Sequence, residues 1–122
     1  MLFRSSPKFA AADPAAADRV MYAFLEGQRD YLNAFINGKD PSDQAAIIKI
    51  LTKYTVLTNP AAYQGMGMSG GTANGEFSLN VMQQYENYFV QQKTLAKPVA
   101  SLNSMVDFSY VKWASQRLGI SS

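Results

Sequence analysis

Between Ala17 and Ile36 the apolar residues recur at three- and four-residue steps: Ala17, Val20, Met21, Phe24, Leu25, Tyr31, Leu32, Phe35 and Ile36. That period is one face of an α-helix. Asp13 offers a carboxylate cap for its start, and Pro14 suits the first helical position, where a missing N–H costs nothing. Asn37-Gly38 supplies a left-handed stop. The pattern predicts a helix over residues 14–37, about 36 Å long at the usual rise. Its aromatic and aliphatic face must be covered by the rest of the chain or by another one.

The cap-then-proline signal recurs twice. Asp40-Pro41 opens a predicted helix over 41–54, with Ile47, Ile48, Leu51 and Tyr54 on one side. Asn59-Pro60 opens a short one over 60–64. Ser78 caps a helix over 79–92, whose apolar face is Val81, Met82, Tyr85, Tyr88 and Phe89. Asp107 starts the last, over 108–118, with Phe108, Val111, Ala114 and Leu118 along one side and Gly119 as its stop. Trp113 lies off that stripe and is expected to fill a gap between helices. Lys8–Ala12 reads as a helical turn. Leu2-Phe3, Glu76-Phe77 and Pro98-Val99 read as brief extended pieces. Asn74-Gly75 reads as a turn. The starts are unevenly spaced, so they are not an internal repeat. The expected fold class is all-α, with four to five helices arranged around 14–37.

Composition narrows the function. The chain has 122 residues, 48% of them hydrophobic, enough for one domain with a real core. Only 16% are charged and the net charge is +2, without the basic stripe that nucleic-acid binding needs. Histidine and cysteine are absent. That removes the commonest general base, any thiolate nucleophile, and zinc sites built on those residues. No run of about 18 apolar residues exists to span a membrane. The opening stretch MLFRSSPKFAAADP has no long apolar region behind a basic start and does not read as a signal peptide.

Candidate chemistry is sparse. Ser5 with Lys8, and Ser109 with Lys112, match the Ser-x-x-Lys spacing of penicillin-recognising enzymes, but the companion motifs are missing and chance explains both. Residues 65–70, GMGMSG, fit G-x-G-x-x-G, yet the dinucleotide motif needs a strand before it and a helix directly after it. Met66 and Met68 read as cover for an apolar surface. Glu26 and Asp30 stand four apart beside Arg29 on the polar face of the long helix, the ordinary arrangement of a solvated face. The tyrosines at 22, 31, 54, 63, 85, 88 and 110 are expected mostly at core-facing steps. No catalytic residue, metal ligand or cofactor site is assigned, and an enzyme is not expected.

Three stretches together are similar to one family. The first is SPKFAAADPAAADRVMYAFLEGQRDYLNAF, with Ser6, Pro7, Phe9, Ala10, Phe24, Leu25, Gly27, Arg29, Asp30 and Tyr31. The second is ILTKYTVLTNPAAYQGMGMSGGTANGEFSLNVM, with Leu51, Tyr54, Thr55, Asn59, Pro60, Tyr63, Met66, Gly70, Asn74 and Gly75. The third carries Val106, Asp107, Ser109, Tyr110 and Val111. In that order they resemble the C-terminal segment of periplasmic solute-binding proteins of the nitrate/sulfonate/taurine type, which include binders of thiamine-pyrimidine precursors. Such proteins have a type II periplasmic binding protein fold and are two to three times this length.

The resemblance implies a C-terminal part that clads one lobe with helices and borders the hinge. It implies capture of a small solute, held mainly by the preceding part, for delivery to the membrane subunits of an ABC importer. The implied location is periplasmic or extracellular and membrane-associated. No solute-contacting residue is carried over; Tyr63 and residues 65–71 are the nearest candidates. Helices that normally cover a sheet expose apolar faces without it, so the 122-residue chain is expected to self-associate. A free-standing helical module that binds a partner helix in a groove is the alternative. An enzyme of pyrimidine synthesis would depend on histidine and a metal, and this chain has no histidine.

Overall fold

The cap-and-proline signal at Asp13-Pro14 works as its chemistry dictates. In a computed structural model describing residues 6–37, 41–64, 66, 71–99 and 101–120, Asp13 Oδ1 accepts a hydrogen bond from the Ala16 amide at 2.9 Å. The helix behind it, α2, runs Pro14–Leu32. A short α1, Pro7–Ala12, precedes it, also with proline at its start. After α2 come α3 (Pro41–Tyr54), α4 (Pro60–Gln64), α5 (Leu79–Gln91) and α6 (Ser109–Arg117). A 3₁₀ turn, Asn103–Met105, interrupts the connector between α5 and α6. The fold is all-α, with no strand among the described residues.

The other caps follow the same chemistry. Asn59 Oδ1 accepts from the Ala61 amide at 3.0 Å, and Ser78 Oγ accepts from the Val81 amide at 3.4 Å. Gly119 stops α6 with φ +65°. At the end of α5 Lys93 adopts φ 58°, a left-handed position more often given to glycine. Asp40, Gly38 and Leu2-Phe3 lie outside the described residues.

The expected helix over 14–37 is continuous helical backbone, but its last five residues leave α geometry. The α-helix ends at Leu32, and Asn33–Asn37 form a single π-helical turn. The widened turn keeps Ala34 buried and lets its carbonyl accept from Gln44 Nε2 of α3 at 2.9 Å. The last helix starts at Ser109 and ends at Arg117, one residue inside each expected bound. α5 likewise ends at Gln91. Glu76-Phe77 and Pro98-Val99 lie in backbone that is neither helical nor paired in a sheet.

α6 packs along α2, the most extensive helix contact in the molecule. Leu25, Val111 and Ala114 form its centre, with Met21, Tyr22, Phe24, Phe108, Trp113 and Leu118 against them. Trp113 thus fills the gap between helices, with the Arg117 guanidinium 3.9 Å above its ring. Arg29 Nη1 donates to the Leu118 carbonyl at 3.3 Å and ties the end of α6 to α2. Complete burial of Leu25 contributes on the order of 2 kcal/mol. It is the only large side chain fully enclosed among the described residues.

The core is therefore small for so apolar a sequence. Val20 and Ile36 of the expected α2 face are exposed. Tyr54, Tyr85 and Tyr88, expected at core-facing steps, are exposed too, Tyr54 by 72%. Val81 and Phe89 of the α5 face share that exposure. The period of the pattern is right, but the described chain leaves these side chains exposed.

Candidate functional site

Part of this uncovered surface, Val81 and Tyr85 with Ile50 of α3, borders a groove of about 1050 Å³. α2 supplies one wall through Phe24 and Tyr31. α3 supplies the opposite lip through Ile47, Ile50 and Leu51. The irregular stretch 71–78 and the first turns of α5 close the remaining side with Phe77, Val81, Met82 and Tyr85. Phe24 and Tyr31 fall on this side because they stand seven apart, two helical turns, on one stripe of α2.

The 71–78 wall is held by backbone chemistry. Gln28 Nε2 donates to the Thr72 carbonyl, and Thr72 Oγ1 donates to the Glu76 carbonyl. Asn74 Oδ1 accepts from the Glu76 amide at 3.1 Å, and the Asn74 carbonyl accepts from the buried Ser115 Oγ at 3.2 Å. Gly75 takes φ +71° at the close of this turn. The Phe77 ring sits 5.3 Å from that of Phe108, anchoring the wall to the start of α6.

The groove is apolar with an acidic edge. Asp30 and Glu76 line it, and among the described residues no lysine or arginine does. Lys49 and Lys53 lie on the exposed side of α3. Lys53 Nζ stands 4.9 Å from the centre of the Tyr54 ring. Glu26 and Asp30 are both solvent-facing, as a solvated helix face requires.

Tyr63 is buried, and its hydroxyl is already engaged. It donates to the Leu57 carbonyl at 3.0 Å and shares a hydrogen bond with Thr55 Oγ1 at 3.0 Å. These bonds close the α3–α4 corner and engage the hydroxyl within the chain itself. Of the neighbouring candidate stretch, residues 65 and 67–70 lie outside the described residues; Gly71 borders the groove. Ser109 and Lys112 occupy the first turn of α6, where the Ser109 amide donates to Asp107 Oδ1 at 2.8 Å. The Ser109 hydroxyl and amide hold the Asp107 carboxyl below its usual value.

One functional-looking group escaped sequence reasoning. Glu86 of α5 is only 6% exposed. Its Oε1 accepts from the Val99 amide and its Oε2 from Gln83 Nε2. The carboxylate thereby straps the 92–99 connector to α5. Spacing could not reveal it, because its partner is a backbone amide thirteen residues away. Among the described residues no three acidic side chains gather as a metal site, and no helix is long and apolar enough to cross a membrane.

No family model matches the chain, and neither a curated protein nor a solved structure matches it.

Proposed function

We propose that this chain is the C-terminal helical part of a two-lobed solute-binding receptor serving an ABC importer. The receptor captures a small anion or heterocycle of the nitrate, sulfonate, taurine or pyrimidine-precursor class. Lobe closure about a hinge retains the solute, and affinity alone selects it. No bond is made or broken. The segment's role is to clad one lobe, with the groove between α2, α3 and α5 seated on the part of the lobe that precedes it.

The surface carries this reading. A compact 13.4 kDa monomer exposes about 6500 Å². This chain exposes 8878 Å². The difference, roughly 2400 Å², is the scale of a layer of structure packed against one side. The apolar side chains around the groove are where such a layer fits. The collinear sequence resemblance over nearly the whole chain supplies the kind of protein.

The test is expression of the complete natural reading frame that contains this chain. Thermal unfolding is then followed with nitrate, taurine, an alkanesulfonate and an aminopyrimidine. A true ligand at about 100 times its Kd stabilises by about 2.7 kcal/mol and raises the midpoint by several degrees. The reading fails if the frame lacks a preceding lobe of alternating strands and helices. A helical module that binds a partner helix then takes its place.

A further inference from the structure

We propose that a second, smaller pocket, between the 74–76 turn and α6, binds a small zwitterion of amino-acid size. This goes beyond the receptor reading and does not rest on it. Of the residues that line the pocket, only Glu76 also borders the groove.

The walls of the pocket are fixed before any ligand arrives. One is the turn through Asn74 and Glu76, whose Gly75 rests on Leu25 and Val111 of the core. The other is a stripe of α6, Lys112, Ser115 and Gln116, at the three- and four-residue spacing that puts side chains on one face. The buried Ser115 hydroxyl donates to the Asn74 carbonyl at 3.2 Å and joins the two walls. Ile120, just past the end of α6, adds an apolar side. Walls already locked in place lose little freedom when a ligand binds.

Charge and size choose the ligand. The Glu76 carboxylate and the Lys112 ammonium line the same space. Among the described residues no ion pair joins them, and neither side chain has a hydrogen-bond partner. Glu76 is half-buried, so its carboxylate has given up part of its water without gaining a partner in exchange. A molecule with an ammonium at one end and an acid group at the other pairs both charges at once. Gln116, one turn beyond Lys112, adds an amide that can donate to the acid group. A singly charged ion of either sign serves one wall and leaves the other charge unpaired. The volume is about 170 Å³, below the roughly 300–1,000 Å³ that drug-sized ligands fill. The ligand is therefore a molecule of few heavy atoms.

Amide-resolved NMR titration of the unmodified 122-residue chain tests this. The probes are glycine, β-alanine and 4-aminobutyrate, which step the two charges apart by one carbon at a time. Acetate and methylammonium carry each charge singly. At least one zwitterion should shift the amides of residues 74–76 and 112–120 saturably, with a Kd on the order of 1 mM. It should bind at least about tenfold tighter than either single-charge probe. Glu76→Gln and Lys112→Gln should each weaken it by about tenfold or more, while far-UV circular dichroism keeps its helical signal. Lys53→Gln, outside the pocket, should bind as the unmodified chain does. No saturable shift from any of the three zwitterions at about 20 mM overturns the proposal. So do acetate or methylammonium binding equally well, and helical Glu76 and Lys112 variants that bind undiminished. An equal loss in Lys53→Gln would show general charge attraction and overturns it too. None of these outcomes bears on the receptor reading, which stands or falls on the reading frame.

Discussion

Gly75 and Leu25 approach so closely that no side chain fits between them. A Cβ at position 75 would fall inside the van der Waals shell of Leu25 Cδ2 and stand 3.0 Å from Val111 Cγ2. The turn that builds one wall of the groove therefore rests directly on the α2–α6 core. Gly75 also takes φ +71°, where any other residue is strained. Gly75→Ala should cost about 2–4 kcal/mol from backbone strain and overpacking together. Urea unfolding at fixed protein concentration measures it. A loss below half a kcal/mol would mean that the wall is free to lift off the core.

The corner between α3 and α4 depends on Tyr63. Tyr63→Phe keeps the buried ring and removes the hydroxyl that bonds Leu57 and Thr55. The Leu57 carbonyl then loses a donor in a half-buried place. The expected loss is about 1 kcal/mol. Amide exchange should quicken around residues 55–63 and remain unchanged in α6. Uniform quickening across the chain would contradict a local role.

Much of the fold was written in the sequence, for local reasons. Asp13, Asn59 and Ser78 mark helix starts because their side chains reach amides two or three residues on, a distance the sequence itself records. The stripe of Phe108, Val111, Ala114 and Leu118 found the core because α2 lies against it. The stripes of α3 and α5 were equally legible, yet Tyr54, Val81 and Tyr85 remain exposed. Periodicity says that a face is apolar; it does not say which chain covers it. The π turn after Leu32 and the carboxylate of Glu86 were not legible. Both answer to partners brought near by tertiary packing, Gln44 in one case and Val99 in the other. The groove was foreseeable only as a consequence of missing cover.

Acid should weaken the start of α6 through Asp107. The Ser109 hydroxyl and amide hold its carboxyl below the ordinary value in the folded chain. The unfolded chain therefore binds a proton more readily, and stability rises with pH across the carboxylate range. The contribution is complete above the unfolded value, near pH 4, and is lost as pH falls through the lower folded value. Because the carboxylate is largely exposed, the effect is small. Asp107→Asn should flatten this part of the pH profile of the urea midpoint and leave the neutral-pH value lower. An unchanged profile would show that the Asp107–Ser109 contact does not discriminate charge.

Glu86 gives the most local readout. Its carboxylate is buried, and it is satisfied on one oxygen by the Val99 amide and on the other by Gln83. Glu86→Ala leaves the Val99 N–H and the Gln83 amide to find water, at a cost of about 1–3 kcal/mol. Glu86→Gln keeps an acceptor for Val99 but turns a second amide group against Gln83, so an intermediate loss is expected. The discriminating measurement is hydrogen exchange at Val99. In the unmodified chain this amide should be protected although it lies in irregular backbone. In Glu86→Ala it should exchange at the rate of an open loop while the amides of α2 and α6 keep their protection. Protection at Val99 that survives the alanine substitution would remove the strap from the account and leave the connector held by packing alone.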